Sequence, residues 1–150
     1  MPFQIPNEKL SGFFSELEAV VSESWTMLIG KETGLRPVET LSFQGEQVFS
    51  ALKIHLDESY VMKLNLPKET AETLAEYFYG EPIDDQEELM ESVGEVLNIF
   101  AGNLMGILPE GWKMEPPSYQ MLEGYNPVRG VYSQCFYSTV GGFHLSIVEA

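Results

Sequence analysis

Basic residues are scarce: eight lysines and arginines stand against 23 aspartates and glutamates in 150 residues, a formal net charge of −15. Such a surface repels phosphate backbones and anionic lipid headgroups, so neither nucleic acid nor a membrane is expected as a partner. A protein with a basic face, or one holding a bound cation, is attracted instead; the other reading is that the acidity serves only solubility. Cysteine is scarcer still. The single Cys135 rules out an internal disulfide, and its setting, "VYSQCFYST", reads as a strand in which a free cysteine is a small core residue. Long apolar runs are missing, since nothing approaches the ~20 residues of a membrane-spanning helix. The opening "MPFQIPNEKL" has neither the basic nor the apolar stretch of a secretory leader, so a cytoplasmic location is expected. Only two histidines occur. His55 and His144 fall in separate predicted strands, and no acidic residue has a histidine at i+3 or i+4, so no metal site is expected.

What is present is a globular balance: 44% hydrophobic and 21% charged residues, with aromatics spread from end to end. A chain of this length supports one domain, expected to span 1–150. "PNEKLSGFFSELEAVVSESWTMLIG" places Leu10, Phe13, Phe14, Leu17, Val20, Val21 and Leu28 on a helical stripe, with Asn7 as N-cap and Gly30 as stop. After the turn-like "KETGLRP" come the strand-like "VETLSF", "QVFSALKIHL" and "SYVMKLNL". Leu52, Ile54 and Leu56, then Tyr60, Met62, Leu64 and Leu66, alternate as half-buried strands do, and "DES" between them reads as a hairpin turn. Pro67 ends that strand. "KETAETLAEYFYG" then returns to helical period through Ala71, Leu74, Ala75 and Phe78, closing at Gly80. Beyond a further helix and "PEGW" lie three strand-like segments, "KMEPPSYQML", "VRGVYSQCFYST" and "FHLSIVE", the last two joined by the hairpin signal "VGG". The order predicts an α+β fold: a two-layer sandwich of long helices on a largely antiparallel sheet.

The further helix, "ELMESVGEVLNIFAGNLMGIL", runs from Glu88 to Leu108. At about 100° per residue, Leu89, Met90, Val93, Val96, Leu97, Phe100, Leu104, Ile107 and Leu108 form one broad apolar side that must face the core. On the other side, within roughly 60° of Glu95, lie Asp84, Glu88, Glu91, Asn98, Gly102 and Gly106. An interior helical glycine is worse than alanine by about 1 kcal/mol, so two on a solvent face are poorly explained by stability. They do strip away side chains, leaving a shallow surface on which another backbone can come close. The same spacing also suits an ordinary solvated face. Glu91 and Glu95 could in principle serve paired-carboxylate hydrolysis, although acids at i,i+4 on an exposed helix are commonplace. Phosphate-cradling glycine patterns are missing, because these glycines interrupt a helix instead of opening one.

The string "ESVGEVLNIFAGN" resembles the signature of the CheC/CheX family of chemotaxis phosphatases, which act on the phosphorylated response regulator CheY. Glu95 and Asn98 match the family's Glu-x-x-Asn pair, Gly94 and Gly102 match its surroundings, and Pro117 in "EPPSY" stands for its later proline. The likeness extends through "LNLPKETAETLAEYFYGEP" to the closing "GGFHLSIVEA". It departs where Glu91 occupies the usual Asp or Ser position, where Met105 stands near a common lysine, and in a shorter proline spacing. A single motif places the chain nearer CheX, with one site, than CheC. The resemblance implies a CheC-like fold and a phosphatase for the aspartyl phosphate of a CheY-type receiver domain. In it Asn98 orients the attacking water, Glu95 pairs with the receiver's lysine, and Glu91, Gly102 and Gly106 line the docking face. It implies no cofactor of the chain's own, Mg²⁺ in the receiver, and a homodimer paired through sheet edges. The alternative is a non-catalytic receiver-binding module or a chemotaxis or flagellar switch adaptor, which would not depend on Asn98.

Overall fold

The computed structural model describes residues 7–30, 34–39, 41, 45–55, 59–106, 113–124, 130 and 132–150, with side chains from residue 16 onward. The chain begins with helix α1 (Asn7–Ile29), which stops where expected: Gly30 turns to φ 111° and its N–H reaches Thr26 O at 2.9 Å. Strand β1 (Arg36–Val38) follows, then the long pair β2 (Gln47–His55) and β3 (Ser59–Pro67). Helix α2 (Lys68–Tyr79) starts directly after Pro67 and closes on Gly80, whose left-handed φ of 75° a side chain would resist. Helix α3 (Gln86–Met105), β4 (Lys113–Met114), β5 (Ser118–Leu122), β6 (Tyr132–Ser138) and β7 (Gly141–Glu149) complete the order.

The seven described strands form one antiparallel sheet in the order β1-β6-β7-β3-β2-β4, with β5 also on β2. The fold is therefore the α+β sandwich the pattern predicts. Alternation sets the core face: Val48, Leu52 and Ile54 of β2, Tyr60, Met62, Leu64 and Leu66 of β3, and Phe143, Leu145 and Ile147 of β7 are all buried. The helices bury Leu17, Val21, Trp25, Leu74, Ala75, Val96, Leu97 and Phe100 in the same cluster. Phe143 joins three elements, its ring centroid lying 5.0 Å from Trp25 of α1, 6.0 Å from Phe100 of α3 and 5.1 Å from Phe136 of β6.

Four expectations are corrected. The segment "KMEPPSYQML" is two strands, since Pro116 and Pro117 have no N–H to give a ladder and β2 is paired first by β5 and then by β4. The strand expected in "VETLSF" starts before that segment, at Arg36, as β1 paired to β6 with Val38 its last residue, while Thr40, Ser42 and Phe43 lie outside the described residues. The helix expected over 88–108 starts at Gln86, because Asp85 caps it, and ends at Met105. Phe78 does not join the core; it sits in the last turn of α2, 37% exposed. The glycines of "VGG" do more than turn. A Cβ on Gly141 would strike Thr70 Oγ1 of α2, and one on Gly142 would come within 2.6 Å of Leu41, so both permit close packing. The side chains of Asn7, Leu10, Phe13 and Phe14, and residues Leu56, Asp57, Glu58, Ile107, Leu108 and 109–112 lie outside the described residues. Among the described residues no helix is long and apolar enough to cross a membrane.

Candidate functional site

The site is built on α3. Asp85 Oδ1 accepts the N–H groups of Glu87 at 2.8 Å and Glu88 at 3.2 Å, satisfying two orphan donors of the first turn. Glu87 and Glu88 there also complement the positive end of the helix dipole. Leu89, Val93, Val96, Leu97, Phe100 and Leu104 are buried as their spacing requires, and Met90 is partly buried against them. Opposite, Glu91 and Glu95 are exposed and Asn98 is half-buried, so the Glu-x-x-Asn pair stands one turn apart along the rim of the buried face. Neither Glu95 nor Asn98 forms a side-chain hydrogen bond or ion pair with a described residue.

The three glycines part company. Gly102 is exposed, and a Cβ there would meet nothing within 4 Å. Gly106 is not in the helix interior. It is the C-cap, in right-handed conformation at φ −66°, with its N–H on Gly102 O at 3.2 Å. Gly94 is buried: an added Cβ would lie 3.1 Å from Tyr119 Cδ1, 3.6 Å from Pro117 Cγ and 3.7 Å from Ser50 Oγ. It is the point at which α3 and β5 press together, and it seats Pro117 against the helix one position before Glu95.

The Pro117 segment is tied from both sides. Ser50 donates to Ser118 O at 2.7 Å and Ser118 donates to Ala51 O at 3.3 Å. Upstream, Glu115 N–H reaches Lys53 O at 2.9 Å, while its carboxylate pairs with His55 Nε2 at 2.5 Å, and His55 Nδ1 meets Ser59 Oγ at 2.8 Å. The His55 contact holds the Glu115 carboxyl below the usual carboxylate range.

Two tyrosines that spacing did not single out complete the surroundings. Tyr119 donates to Glu91 Oε1 at 3.4 Å, from 28 residues away in sequence. Its ionisation is raised first by desolvation, then by the charges of Glu91 and Glu87. Tyr79, at the end of α2, is raised first by desolvation and then by Glu91, Glu88 and Glu95. No local sequence signal couples either ring to α3; the coupling exists only once α2 and β5 flank it. Among the described residues no group of three or more His, Cys, Asp or Glu side chains could hold a metal ion.

A carboxylate and a carboxamide that bond no described residue, beside a bare helical surface, can pair with a cation and position a water for a partner's chemistry. Comparison with known proteins agrees in fold. Residues 50–137 match the family model described as chemotaxis phosphatase CheX. No curated protein matches the sequence. The chemotaxis protein CheX from Vibrio vulnificus has a similar structure, with TM-score 0.72 at 19% identity, covering 91% of this chain and 95% of that one. A structure of the CheX-CheY-BeF3-Mg complex from Borrelia burgdorferi is similar with TM-score 0.63 at 22% identity, over 91% of this chain and 98% of that one. FliY from Thermotoga maritima shares the fold more distantly, with TM-score 0.58 at 16% identity, over 99% of this chain and 93% of that one.

Proposed function

The chain belongs to the CheX family of chemotaxis phosphatases, and from that premise we propose that it hydrolyses the aspartyl phosphate of a CheY-type receiver domain, with Asn98 orienting the attacking water. The observation that carries the reading is the pair on α3, exposed Glu95 and half-buried Asn98, one turn apart and without a side-chain partner among the described residues, with Gly102 open beside them.

A receiver holding phosphoaspartate brings its own Mg²⁺ and lysine, so a helper has little to add beyond geometry. The Asn98 amide is no base. Its carbonyl accepts from a water and its NH₂ donates to one, which holds the water oxygen in line with phosphorus. That oxygen bonds to phosphorus as the bond to the aspartyl carboxylate breaks, releasing inorganic phosphate that carries both of the water's protons and returning the receiver's free carboxylate. Glu95 pairs with the receiver's lysine and sets the docking register, a contact that strengthens as the interface excludes water. Glu91 and Gly102 line the approach, and Gly106 leaves the end of the helix low. A rate gain of two to three orders of magnitude requires about 3 to 4 kcal/mol, within the reach of one positioned water and one ion pair.

The test follows phosphate loss from each receiver of the same cell, phosphorylated with acetyl phosphate. Wild type accelerates loss, Asn98→Ala removes the acceleration while still binding, and Glu95→Lys loses binding. Fast decay that survives Asn98→Ala contradicts the mechanism. A non-catalytic receiver-binding adaptor is the second reading; binding of a receiver with decay left unchanged would select it. The homodimer remains a companion proposal, checked by sedimentation of the full chain.

A further inference from the structure

Three consecutive aromatic side chains at the end of α2, Tyr77, Phe78 and Tyr79, are 50%, 37% and 46% exposed, and hydrolysis by Asn98 gives them no task. Successive helical residues turn by about 100°, so Tyr77 points away from Tyr79, and Phe78 and Tyr79 are the pair on adjoining sides; apolar surface exposed there on a chain this acidic marks a contact site more readily than a chance exposure. Its position supports that. Helix α2 packs along α3, so the segment ends beside the acidic row Glu88, Glu91 and Glu95. From the opposite flank of α3, Tyr119 of β5 donates to Glu91 at 3.4 Å. Glu91 therefore accepts from one aromatic residue, Tyr119, and acts through its charge on another, Tyr79, across the α2–α3 packing.

The row is also unneutralised. The ion pairs among described residues are His55 with Glu115 and Lys68 with Glu46, and neither involves an acid of α3. Carboxylates three and four residues apart along a helix, as Glu88, Glu91 and Glu95 are, repel one another, an unfavourable arrangement that an incoming cation relieves. The phenols stay protonated here, their ionisation raised first by desolvation and then by the glutamate charges, so they remain donors and neutral ring faces.

We propose that Phe78 and Tyr79, together with Tyr119 and the acids Glu88 and Glu91, form one docking surface that grips a lysine or arginine of the receiver. This contact is separate from the one Glu95 makes, and it rests on the receiver reading above. The charged head of the side chain meets Glu91, its aliphatic stem lies on Tyr79 and Phe78, and the faces of the tyrosine rings attract the cation. These aromatics are then specificity-determining residues: they choose among receivers without touching phosphorus.

The experiment uses the full chain and a CheY-type receiver from the same cell, once phosphorylated for turnover and once loaded with beryllofluoride and Mg²⁺ for calorimetric binding. Tyr79→Ala is expected to weaken binding and raise KM by about tenfold while kcat stays within about twofold. Tyr79→Phe, which keeps the ring, restores most of that loss, and Glu91→Gln reduces the dependence of binding on salt. Tyr119→Phe tests the hydroxyl without emptying the contact on Gly94. If Tyr79→Ala and Glu91→Gln bind the loaded receiver as wild type does, the docking surface is overturned even where Asn98→Ala still abolishes turnover. If turnover ignores Asn98 but binding still falls in Tyr79→Ala, the catalytic reading fails and the docking surface stands. Failure of wild type to bind any receiver overturns both.

Discussion

Adding a methyl group at Gly102 meets nothing within 4 Å, so Gly102→Ala exchanges a poor helix former for the best one without a clash. The expected result is a gain of about 1 kcal/mol in urea unfolding. If this surface receives a partner's loops, the same variant raises KM for the phosphorylated receiver; a gain in stability with unchanged KM would leave Gly102 outside the interface. Gly94→Ala separates from it. Its Cβ would lie 3.1 Å from the Tyr119 ring, so the propensity gain is spent on displacing Tyr119 from Glu91, and net stabilisation is not expected. The sequence marks these positions as glycines in a helix and nothing more. Which one faces open space and which one faces a strand depends on β5, whose pairing with β2 no local pattern encodes. His144 makes a further point at this scale. It is buried, meets Ser133 Oγ at 2.6 Å, and burial lowers its pKa from the ordinary 6.5. As pH falls through about 6.5 the unfolded chain takes up the proton first, so stability is complete above that value and declines below it. Urea midpoints between pH 8 and 5 should show that decline, and His144→Asn should flatten it.

Elements whose own period decides their burial were readable: α3 buries the apolar stripe that its spacing prescribes, and β2 and β3 alternate as written. Elements decided by a partner were not. β1 is three residues long and exists because β6 offers an edge. The split between β4 and β5 follows from two prolines, but their value is positional, since they carry the chain past Gly94. Glu115, tied to His55, anchors that passage. Glu115→Gln is expected to leave the unfolding midpoint close to wild type, because an exposed pair contributes little to global stability. It should instead speed amide exchange in Ser118–Leu122, where the tether limits local opening. Because the Glu115 carboxyl is held below its ordinary 4.5, the tether is present above that pH and is lost as pH falls further. Exchange in β5 that is insensitive to both changes would show that the Ser50 and Ser118 hydrogen bonds hold the strand by themselves.

For the whole molecule, a charge of −15 can act in two ways that respond oppositely to salt. As a source of self-repulsion it destabilises the compact state, so screening should raise the melting temperature between 10 and 300 mM NaCl, where the Debye length contracts from about 30 Å to under 10 Å. As a docking field it attracts a basic receiver surface, so the same salt should raise KM. A reservoir of charge kept only for solubility predicts the first response without the second. Glu91→Gln tests whether the α3 row is responsible: it should raise the melting temperature at low salt by relieving i,i+3 repulsion with Glu88 and i,i+4 repulsion with Glu95, and flatten the rise of KM with salt. Calorimetric melting and steady-state dephosphorylation over one salt series supply both readouts. A KM that climbs with salt equally in wild type and Glu91→Gln would place the steering charge elsewhere on the surface.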